Sequence, residues 1–259
     1  MTAHPRRVLL APGYILHHWP YRDTSRILEV LSRDHGRLTL FARGVRGPKP
    51  RFGGLLQPFG LLLLSFQLGR EAGQLTGAES AERSSGLPAG SLMAAFYLNE
   101  LLLRLTTRHD PVPEVFEHYR RALEALRAGQ SVEAVLRVFE KRLLEAVGYG
   151  LDLISEARTG RAIDAARFYR FRANEGLFLA DGDEADALAG SSLIALAREE
   201  LTAGRVLEDA RRVLKAALAE RLEGRELTTR KVARALAGRG NPRPAPANAP
   251  RNGHVKCPR

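Results

Sequence analysis

The side chains of this sequence that can do chemistry are cations and aromatic rings, not catalytic groups at catalytic spacing. The sequence holds no G-x-x-x-x-G-K-[ST] phosphate loop, no G-x-S-x-G nucleophile motif, no H-E-x-x-H metal motif and no G-x-G-x-x-G dinucleotide motif. The adjacent His17 and His18 would point to opposite faces of a strand, so they are not expected to share a metal. We therefore predict no catalytic residues, no cofactor and a protein that is not an enzyme.

A cationic segment stands directly before an apolar one. The stretch FARGVRGPKPRFGGLLQPFG covers residues 41–60, and its cations, with no acid among them, are Arg43, Arg46, Lys49 and Arg51. Glycines and prolines between the cations allow close backbone approach and limit the freedom of the loop. An ordinary solvated loop is one explanation, and a loop shaped to contact the phosphates of a nucleic acid is the other.

The predicted strand before this loop places an aromatic ring between cations. Residues 37–43 alternate in character, with an apolar side made of Leu38, Leu40 and Ala42. The other side is made of Arg37, Thr39, Phe41 and Arg43. A base can stack on Phe41 while the neighbouring cations neutralise its phosphates. Packing of this ring beneath the following loop is the alternative. The predicted nucleic-acid-binding residues are Arg37, Phe41, Arg43, Arg46, Lys49 and Arg51.

The composition favours a polyanionic partner. The 259 residues carry a formal net charge of +11, which points to DNA, RNA or an acidic protein surface. Cys257 is the only cysteine, so no internal disulfide and no cysteine-based zinc site can form, as expected in a reducing cytosol. The most apolar helical segment contains Asn99, Glu100 and Arg104, and we predict neither a signal peptide nor a membrane span.

Short strands with turn signals fill the first part of the chain. The predicted strands cover residues 13–19, 25–33, 37–43, 59–68 and 73–80, with a tight hairpin turn at 34–36 in which Gly36 supplies the positive φ. Five short antiparallel strands within residues 13–80 favour a small barrel, with the OB-fold as the leading candidate. The predicted barrel domain covers residues 1–82.

The chain becomes mainly helical beyond a connector near residue 85. Helices are predicted at residues 91–107, 113–127, 131–147, 205–223 and 228–237, with Ser131 as the N-cap of the third helix. Residues 167–182 alternate and turn at ANEG, so they predict a β-hairpin. The fold class is therefore α+β, with a helical domain at 90–238 that carries the hairpin. Residues 239–259 are predicted to be a disordered basic tail.

Several of these segments resemble the RecO recombination mediators of bacteria. The stretch YRDTSRILEVLSRDHGRLTLFARGVRGPKPRFGGLLQPF, residues 21–59, carries the family's pattern of HGR-x-x-x-x-A-[KR]-G-[AV]-R followed by LQPF. The stretch LRVFEKRLLEAVGYGLDL, residues 136–153, resembles its L-R-x-F-E-x-x-L-L-x-x-x-G-Y pattern. Looser matches at residues 96–105, 167–182 and 222–236 keep the family's order, so the resemblance covers about residues 8–237.

The resemblance implies an amino-terminal OB-fold, a helical domain behind it and no bond-breaking reaction. Members of the family bind single- and double-stranded DNA and anneal complementary strands. With RecR they help RecA replace single-stranded DNA-binding protein, and they dock on the acidic carboxy-terminal tail of that binding protein. A cytoplasmic, nucleoid-associated location follows from this role.

The sequence departs from many relatives in one important respect. They carry a four-cysteine zinc site after the G-Y segment, whereas residues 153–162 here, LISEARTGRA, hold no cysteine. We therefore expect no zinc and a hairpin held by packing alone. Two other functions stay open, an OB-fold protein that binds structured RNA and a protein adaptor whose positive charge meets acidic partners.

The third predicted helix offers a site for the acidic tail. Its core stripe is expected to contain Val135, Leu136, Phe139 and Leu143, while a neighbouring stripe carries Arg137, Lys141 and Leu144. Two cations beside an apolar residue suit a peptide that ends in acids, an aromatic ring and a free carboxylate. Arg137 also falls on the arginine of the L-R-x-F-E pattern. An ordinary solvated face, with both cations paired to Glu133, Glu140 or Glu145, is the alternative.

Overall fold

Five strands at the start of the chain form the barrel that the sequence predicts. The computed structural model describes residues 6–69, 71–82, 86–182, 186–202 and 204–232. The strands are β1 (Arg7–Tyr21), β2 (Ser25–Ser32), β3 (Gly36–Ala42), β4 (Leu61–Gln67) and β5 (Gly73–Ser80), and they close in the order β1-β2-β3-β5-β4. A short parallel pairing of β3 with β5 completes the ring, while the other pairs are antiparallel. The predicted OB-fold class is confirmed.

Strand β1 begins before the predicted range 13–19, because a β-bulge keeps the residues ahead of Pro12 paired with β4. The register against β4 shifts between Val8 and Ala11, and Leu10 within this bulge has a φ of 50°. The backbone N–H of Leu10 donates to the side-chain oxygen of Ser65 at 3.1 Å, which stabilises the irregular backbone. A bulge keeps an irregular stretch within the sheet, so the proline does not end the strand here.

Inward-facing apolar side chains fill the barrel, as the alternating pattern of β3 predicts. The apolar side of β3 faces inward, and its residues pack against inward residues of the other strands, among them Ile15, Leu28, Leu64, Phe66 and Leu75. Gly73 lies where β5 meets β3, and a Cβ atom there would come 2.6 Å from the Gln67 carbonyl oxygen. Glycine is therefore required for the strands to approach closely enough to close the barrel.

The helical part packs on one side of the barrel. It contains α1 (Leu92–Leu105), α2 (Pro113–Arg127), α3 (Val132–Ala146), α4 (Gly190–Arg198) and α5 (Arg205–Arg221). Ser131 caps α3 as predicted, since its side-chain oxygen accepts from the Ala134 N–H at 3.4 Å. The predicted hairpin is present as β6 (Phe168–Arg172) and β7 (Gly176–Leu179), and the sequence did not predict α4 or the short third strand β8 (Leu188–Ala189).

One apolar core runs from the barrel wall into the helices. Tyr14 of β1 packs edge-on against Tyr119 of α2, with ring centres 5.1 Å apart, and against Phe116 at 5.3 Å. Asn99 of α1 is buried and donates to the Leu16 carbonyl of β1 at 2.7 Å, while its amide oxygen accepts from the Tyr119 hydroxyl at 2.5 Å. These contacts fix the helical part against β1.

The end of the described chain is tied to α1. Residues 228–232 are helical, and the Glu100 carboxylate accepts from the backbone N–H groups of Thr228 at 2.8 Å and Thr229 at 2.9 Å. The rest of the predicted helix 228–237 and the predicted tail lie outside the described residues. The domain boundaries proposed from the sequence stay predictions.

Candidate nucleic-acid interface

A row of large side chains crosses the outer face of the barrel. Trp19 of β1 lies opposite Ile27 of β2, Ile27 lies opposite Phe41 of β3, and Phe41 lies opposite Gln74 of β5. Residues directly opposite each other in neighbouring strands share a face, and all four are partly exposed. The row gives a partly apolar strip on which bases can stack.

The end of β1 and the turn that follows it extend this row. Tyr21 is 37% exposed, and its ring centre lies 5.4 Å from that of Phe41. The guanidinium of Arg22 lies 5.2 Å from the centre of the Tyr21 ring. Phe41 thus lies in the outer aromatic row and packs beside Tyr21. Whether a base stacks on it stays a prediction.

The cationic loop that follows β3 keeps its four cations at the surface. Arg43, Arg46, Lys49 and Arg51 are all exposed, and none of them forms an ion pair with an acid of the described residues. The loop is closed by the Arg51 N–H, which donates to the Gly44 carbonyl at 2.7 Å, and Gly47 adopts a φ of 120° that favours glycine. The cations are therefore displayed on an ordered turn.

Hydrogen bonds hold this loop beside the β1–β2 turn. The backbone N–H groups of Val45 and Arg46 donate to the Thr24 carbonyl at 2.8 and 3.0 Å, and the Arg46 side chain donates to the Arg22 carbonyl at 3.2 Å. Val45 is buried in the barrel core and anchors the base of the loop. The contact adds Arg22 to the cationic surface, beside the aromatic row.

Sequence reasoning missed Trp19, Tyr21, Arg22 and Ile27. The signal available was the pattern HHWPYR at the end of β1, where aromatic and cationic residues alternate as they do in β3. Their proximity to Phe41 depends on strand register, which the sequence does not give directly.

Arg37 does not belong to this open surface, which corrects its expected place on a free outer face. Its side chain is only 14% exposed, donates to the Glu29 carboxylate at 2.9 Å and donates to the Thr106 carbonyl at 2.8 Å. Thr39 and Arg108 donate to the same carboxylate at 2.6 and 2.5 Å. The outer face at this end of β3 is covered by the segment after α1, so Arg37 joins the barrel to the helical part.

Gly36 shows how closely these two parts approach. It has a φ of 66°, as predicted for the hairpin turn, and a Cβ atom there would lie 2.3 Å from the Asp110 carbonyl oxygen. Glycine is needed for the turn and for the contact with the segment after α1.

The predicted partner stripe on α3 is buried, which corrects the expected exposure, but both cations pair with acids of α3 as the alternative predicted, Lys141 with Glu145 at 3.0 Å. Leu144 is in the core, and the side chains of Arg137 and Lys141 are only 10% and 11% exposed. Arg137 pairs with the fully buried Glu140 at 2.7 Å. The stripe is neither a solvated face nor an open docking surface, because α1, α2 and α5 surround α3 more completely than a two-stripe pattern indicates.

Between α2 and α3 the helical part leaves a groove of about 420 Å³. Its floor is apolar and includes Ala122, Val135 and Phe139. Cationic and polar groups line its rim, namely His118, Arg121, Arg142 and Glu199. A groove with this lining suits a peptide with an apolar or aromatic side chain and a negative charge.

The rim of the groove combines two arginines with a half-buried histidine and a charged carboxylate. Burial lowers the pKa of His118 below its ordinary value, and the nearby cations Arg142 and Arg121 lower it further. The Nδ1 atom of His118 is buried and has no hydrogen-bond partner in the described residues. Burial acts to raise the pKa of Glu199, but hydrogen bonds from Arg142 and Lys141 lower it below the ordinary value, so the carboxylate is charged.

The cysteine-free segment after the G-Y pattern forms a hydrogen-bonded turn. Ser155 bridges to Ala162, the Asp152 carboxylate accepts from the Ile154 and Ser155 N–H groups at 3.0 Å, and the Ala157 N–H donates to the β7 carbonyl of Leu177 at 2.8 Å. Within the described residues there is no group of three or more His, Cys, Asp or Glu side chains that could hold a metal ion. No helix of the described part is long and apolar enough to cross a membrane.

Comparison with known proteins agrees with this architecture. The family model described as Recombination protein O N terminal matches residues 7–83, and the one described as Recombination protein O C terminal matches residues 90–231. The chain is 44% identical to the DNA repair protein RecO of Methylococcus capsulatus over 89% of this chain and 95% of that protein. It is 40% identical to DNA repair protein RecO of Nitrosococcus oceani over 91% of this chain and 96% of that protein. The chain therefore belongs to the RecO family of DNA repair proteins.

Proposed function

We propose that this protein is a recombination mediator that acts by binding and not by catalysis. It binds single- and double-stranded DNA on the barrel and anneals complementary strands. With RecR it helps load RecA onto DNA that is coated with single-stranded DNA-binding protein. It works in the cytoplasm on nucleoid DNA, and the acidic tail of the binding protein docks on its helical part.

The observation that carries this proposal is the outer aromatic row beside an ordered cationic loop. Aromatic rings hold bases by stacking, which tolerates any sequence because every base has a π-face. The loop cations neutralise phosphates and release condensed counterions, which gives affinity without sequence preference. Annealing needs this kind of contact, since complementary strands must be held whatever their sequence.

The DNA-binding residues proposed for this function are revised by the geometry. Phe41, Arg43, Arg46, Lys49 and Arg51 stay in the set. Trp19, Tyr21 and Arg22 join it, because strand register and the loop contacts place them on the same surface. Arg37 leaves it, because Glu29 and Thr106 already engage its guanidinium.

The tail site is proposed in the α2–α3 groove and not on the buried stripe of Arg137, Lys141 and Leu144. The tail supplies acids, an aromatic ring and a free carboxylate. The ring matches the apolar floor at Val135 and Phe139, and the acids match the cations of the rim. Charge-assisted hydrogen bonds to a guanidinium are among the stronger polar contacts, so the rim arginines supply affinity as well as orientation.

An annealing assay tests the proposal. Complementary oligonucleotides are coated with the host's own single-stranded DNA-binding protein, and duplex formation is followed with and without this protein. The proposal predicts faster annealing, which the simultaneous change of Arg43, Arg46, Lys49 and Arg51 to alanine removes. A matched control changes four exposed cations of the helical part, Arg158, Arg161, Arg198 and Lys215, and keeps annealing.

Two results would contradict the mediator role. Preference for a structured RNA over single-stranded DNA of equal length indicates an RNA-binding protein. Annealing that does not accelerate, together with retained binding of the acidic tail peptide, indicates an adaptor.

A further inference from the structure

One acidic side chain lies among the cations of the α2–α3 groove. Glu199 follows the last residue of α4, and its carboxylate reaches across to α3. It accepts from the Arg142 Nε at 2.8 Å and from the Lys141 Nζ at 3.2 Å, and its second oxygen accepts from the Arg142 Nη2. The pairing with Arg142 is bidentate, which is the geometry that a guanidinium offers to any carboxylate.

The backbone at Glu199 is in an unusual conformation. Its φ is 62°, in the left-handed region, at a helix end where glycine or asparagine is the usual residue. The side chain is 20% exposed and lines the groove, so it lies where a docking peptide would reach. The chain therefore keeps a charged residue in an unfavourable conformation, and its carboxylate engages the rim cations.

We propose that Glu199 is an internal competitor that occupies the place of an incoming peptide carboxylate. This inference rests on the tail site proposed above. Glu199 already takes the Nε and Nη2 donors of Arg142, so a second carboxylate at the same face would meet a like charge at close range. The acidic peptide therefore binds by displacing Glu199, which swings into solvent, and the groove exchanges one carboxylate for another.

The consequence is a lowered and adjustable affinity for acidic peptides. In the free protein the competitor is attached to the same chain, so its effective concentration at Arg142 is high. Every binding event must first break its contacts, and an acidic segment that offers only one weak contact is rejected. A peptide that adds an aromatic ring on the apolar floor and a terminal carboxylate gains enough to displace Glu199.

The test compares Glu199→Gln with Glu200→Gln. Glutamine keeps the size of the side chain and removes the charge, while Glu200 is the exposed neighbour and leaves the groove unchanged. A fluorescent peptide with acidic residues, a penultimate aromatic ring and a free carboxylate is titrated against each protein. We expect Glu199→Gln to bind about tenfold more tightly than the wild type, a gain of about 1.4 kcal/mol, and Glu200→Gln to bind as the wild type does.

Two further variants separate the possible failures. Glu199→Gly suits the left-handed backbone and removes the carboxylate, so it should show the same gain without loss of fold. In an Arg142→Ala background the gain from Glu199→Gln should vanish, as it should when the peptide carboxylate is amidated.

Weaker or unchanged binding by both Glu199 variants, with their melting temperatures retained, would overturn the competitor and make Glu199 a residue that positions Arg142. Wild-type binding that is insensitive to Arg142→Ala would instead reject the groove as the tail site. The two failures are therefore distinguishable.

Discussion

Replacing Arg37 with alanine separates two roles for this side chain, a phosphate contact and a bond between the barrel and the helical part. The structure supports the second role. The Glu29 carboxylate is 4% exposed and accepts from Arg37, Thr39 and Arg108, while Arg37 also donates to the Thr106 carbonyl. We therefore expect Arg37→Ala to reduce the free energy of unfolding and to leave the salt dependence of DNA binding unchanged.

The magnitude follows from what the substitution leaves behind. Removing one partner of a buried ion pair costs about 3–5 kcal/mol, because the other charge stays buried without compensation. Arg108, whose side chain is 49% exposed, still pairs with Glu29 in this variant. We therefore expect a loss at the lower end of this range, about 3 kcal/mol. In a chain of this size that corresponds to a melting temperature lower by roughly 6–12 °C.

Urea unfolding measures this change directly, and Arg43→Ala is the matched control. Arg43 is exposed and outside any ion pair of the described residues, so its removal should change the free energy of unfolding by less than about 0.5 kcal/mol. The result that refutes the reasoning is an Arg37→Ala protein of unchanged stability whose salt slope on single-stranded DNA falls by about 0.7, the value for one lost phosphate contact.

Three other predictions follow from the fold. Asn99→Ala leaves the Leu16 carbonyl of β1 and the Tyr119 hydroxyl without their partner, so it should lower the free energy of unfolding in urea by about 3 kcal/mol. A change below about 1 kcal/mol would contradict the buried link between the barrel and the helical part. Elemental analysis should find no stoichiometric zinc, and a chelator should leave the melting curve unchanged; one tightly held zinc per chain would contradict this. Burial lowers the pKa of His18, His35 and His118 below the ordinary value of 6.5, so the unfolded chain binds more protons than the folded chain when the pH falls below 6.5. The free energy of unfolding should therefore decrease as the pH is lowered through 6.5. A melting temperature that rises between pH 7 and 5 would contradict these pKa shifts.

Local patterns predicted the elements well where one rule governs the whole segment. The alternation of β3 indicates its inward and outward sides, and Pro113 at the start of α2 and Ser131 at the start of α3 mark helix ends by local chemistry. The start of β1 was missed because a proline such as Pro12 usually ends a strand, and the sequence does not reveal the bulge that lets β1 continue. That compensation depends on the partner strand β4.

The site was harder to predict because exposure is a tertiary property. Arg37 and Arg137 read as surface cations in the sequence, but a segment after α1 covers the first and neighbouring helices cover the second. Both became partners of buried acids, Glu29 and Glu140, whose burial no local pattern reveals.

The register of the strands could not be predicted from the sequence either. Trp19 and Phe41 are far apart in the sequence and join one row only because β1 and β3 both pair with β2. The cationic loop could be predicted because its charge and turn residues are local features.

The salt dependence of single-stranded DNA binding tests the central claim most directly. The measurement compares wild type with the variant in which Arg43, Arg46, Lys49 and Arg51 are alanine, and with Phe41→Ala, after melting curves show that each is folded. We predict that the fourfold variant loses affinity for every sequence and that its slope is smaller by roughly 0.7 for each cation in contact with phosphate. Phe41→Ala should lose about 1–3 kcal/mol of affinity with an unchanged slope. A fourfold variant with the wild-type slope would contradict the assignment of this surface to DNA.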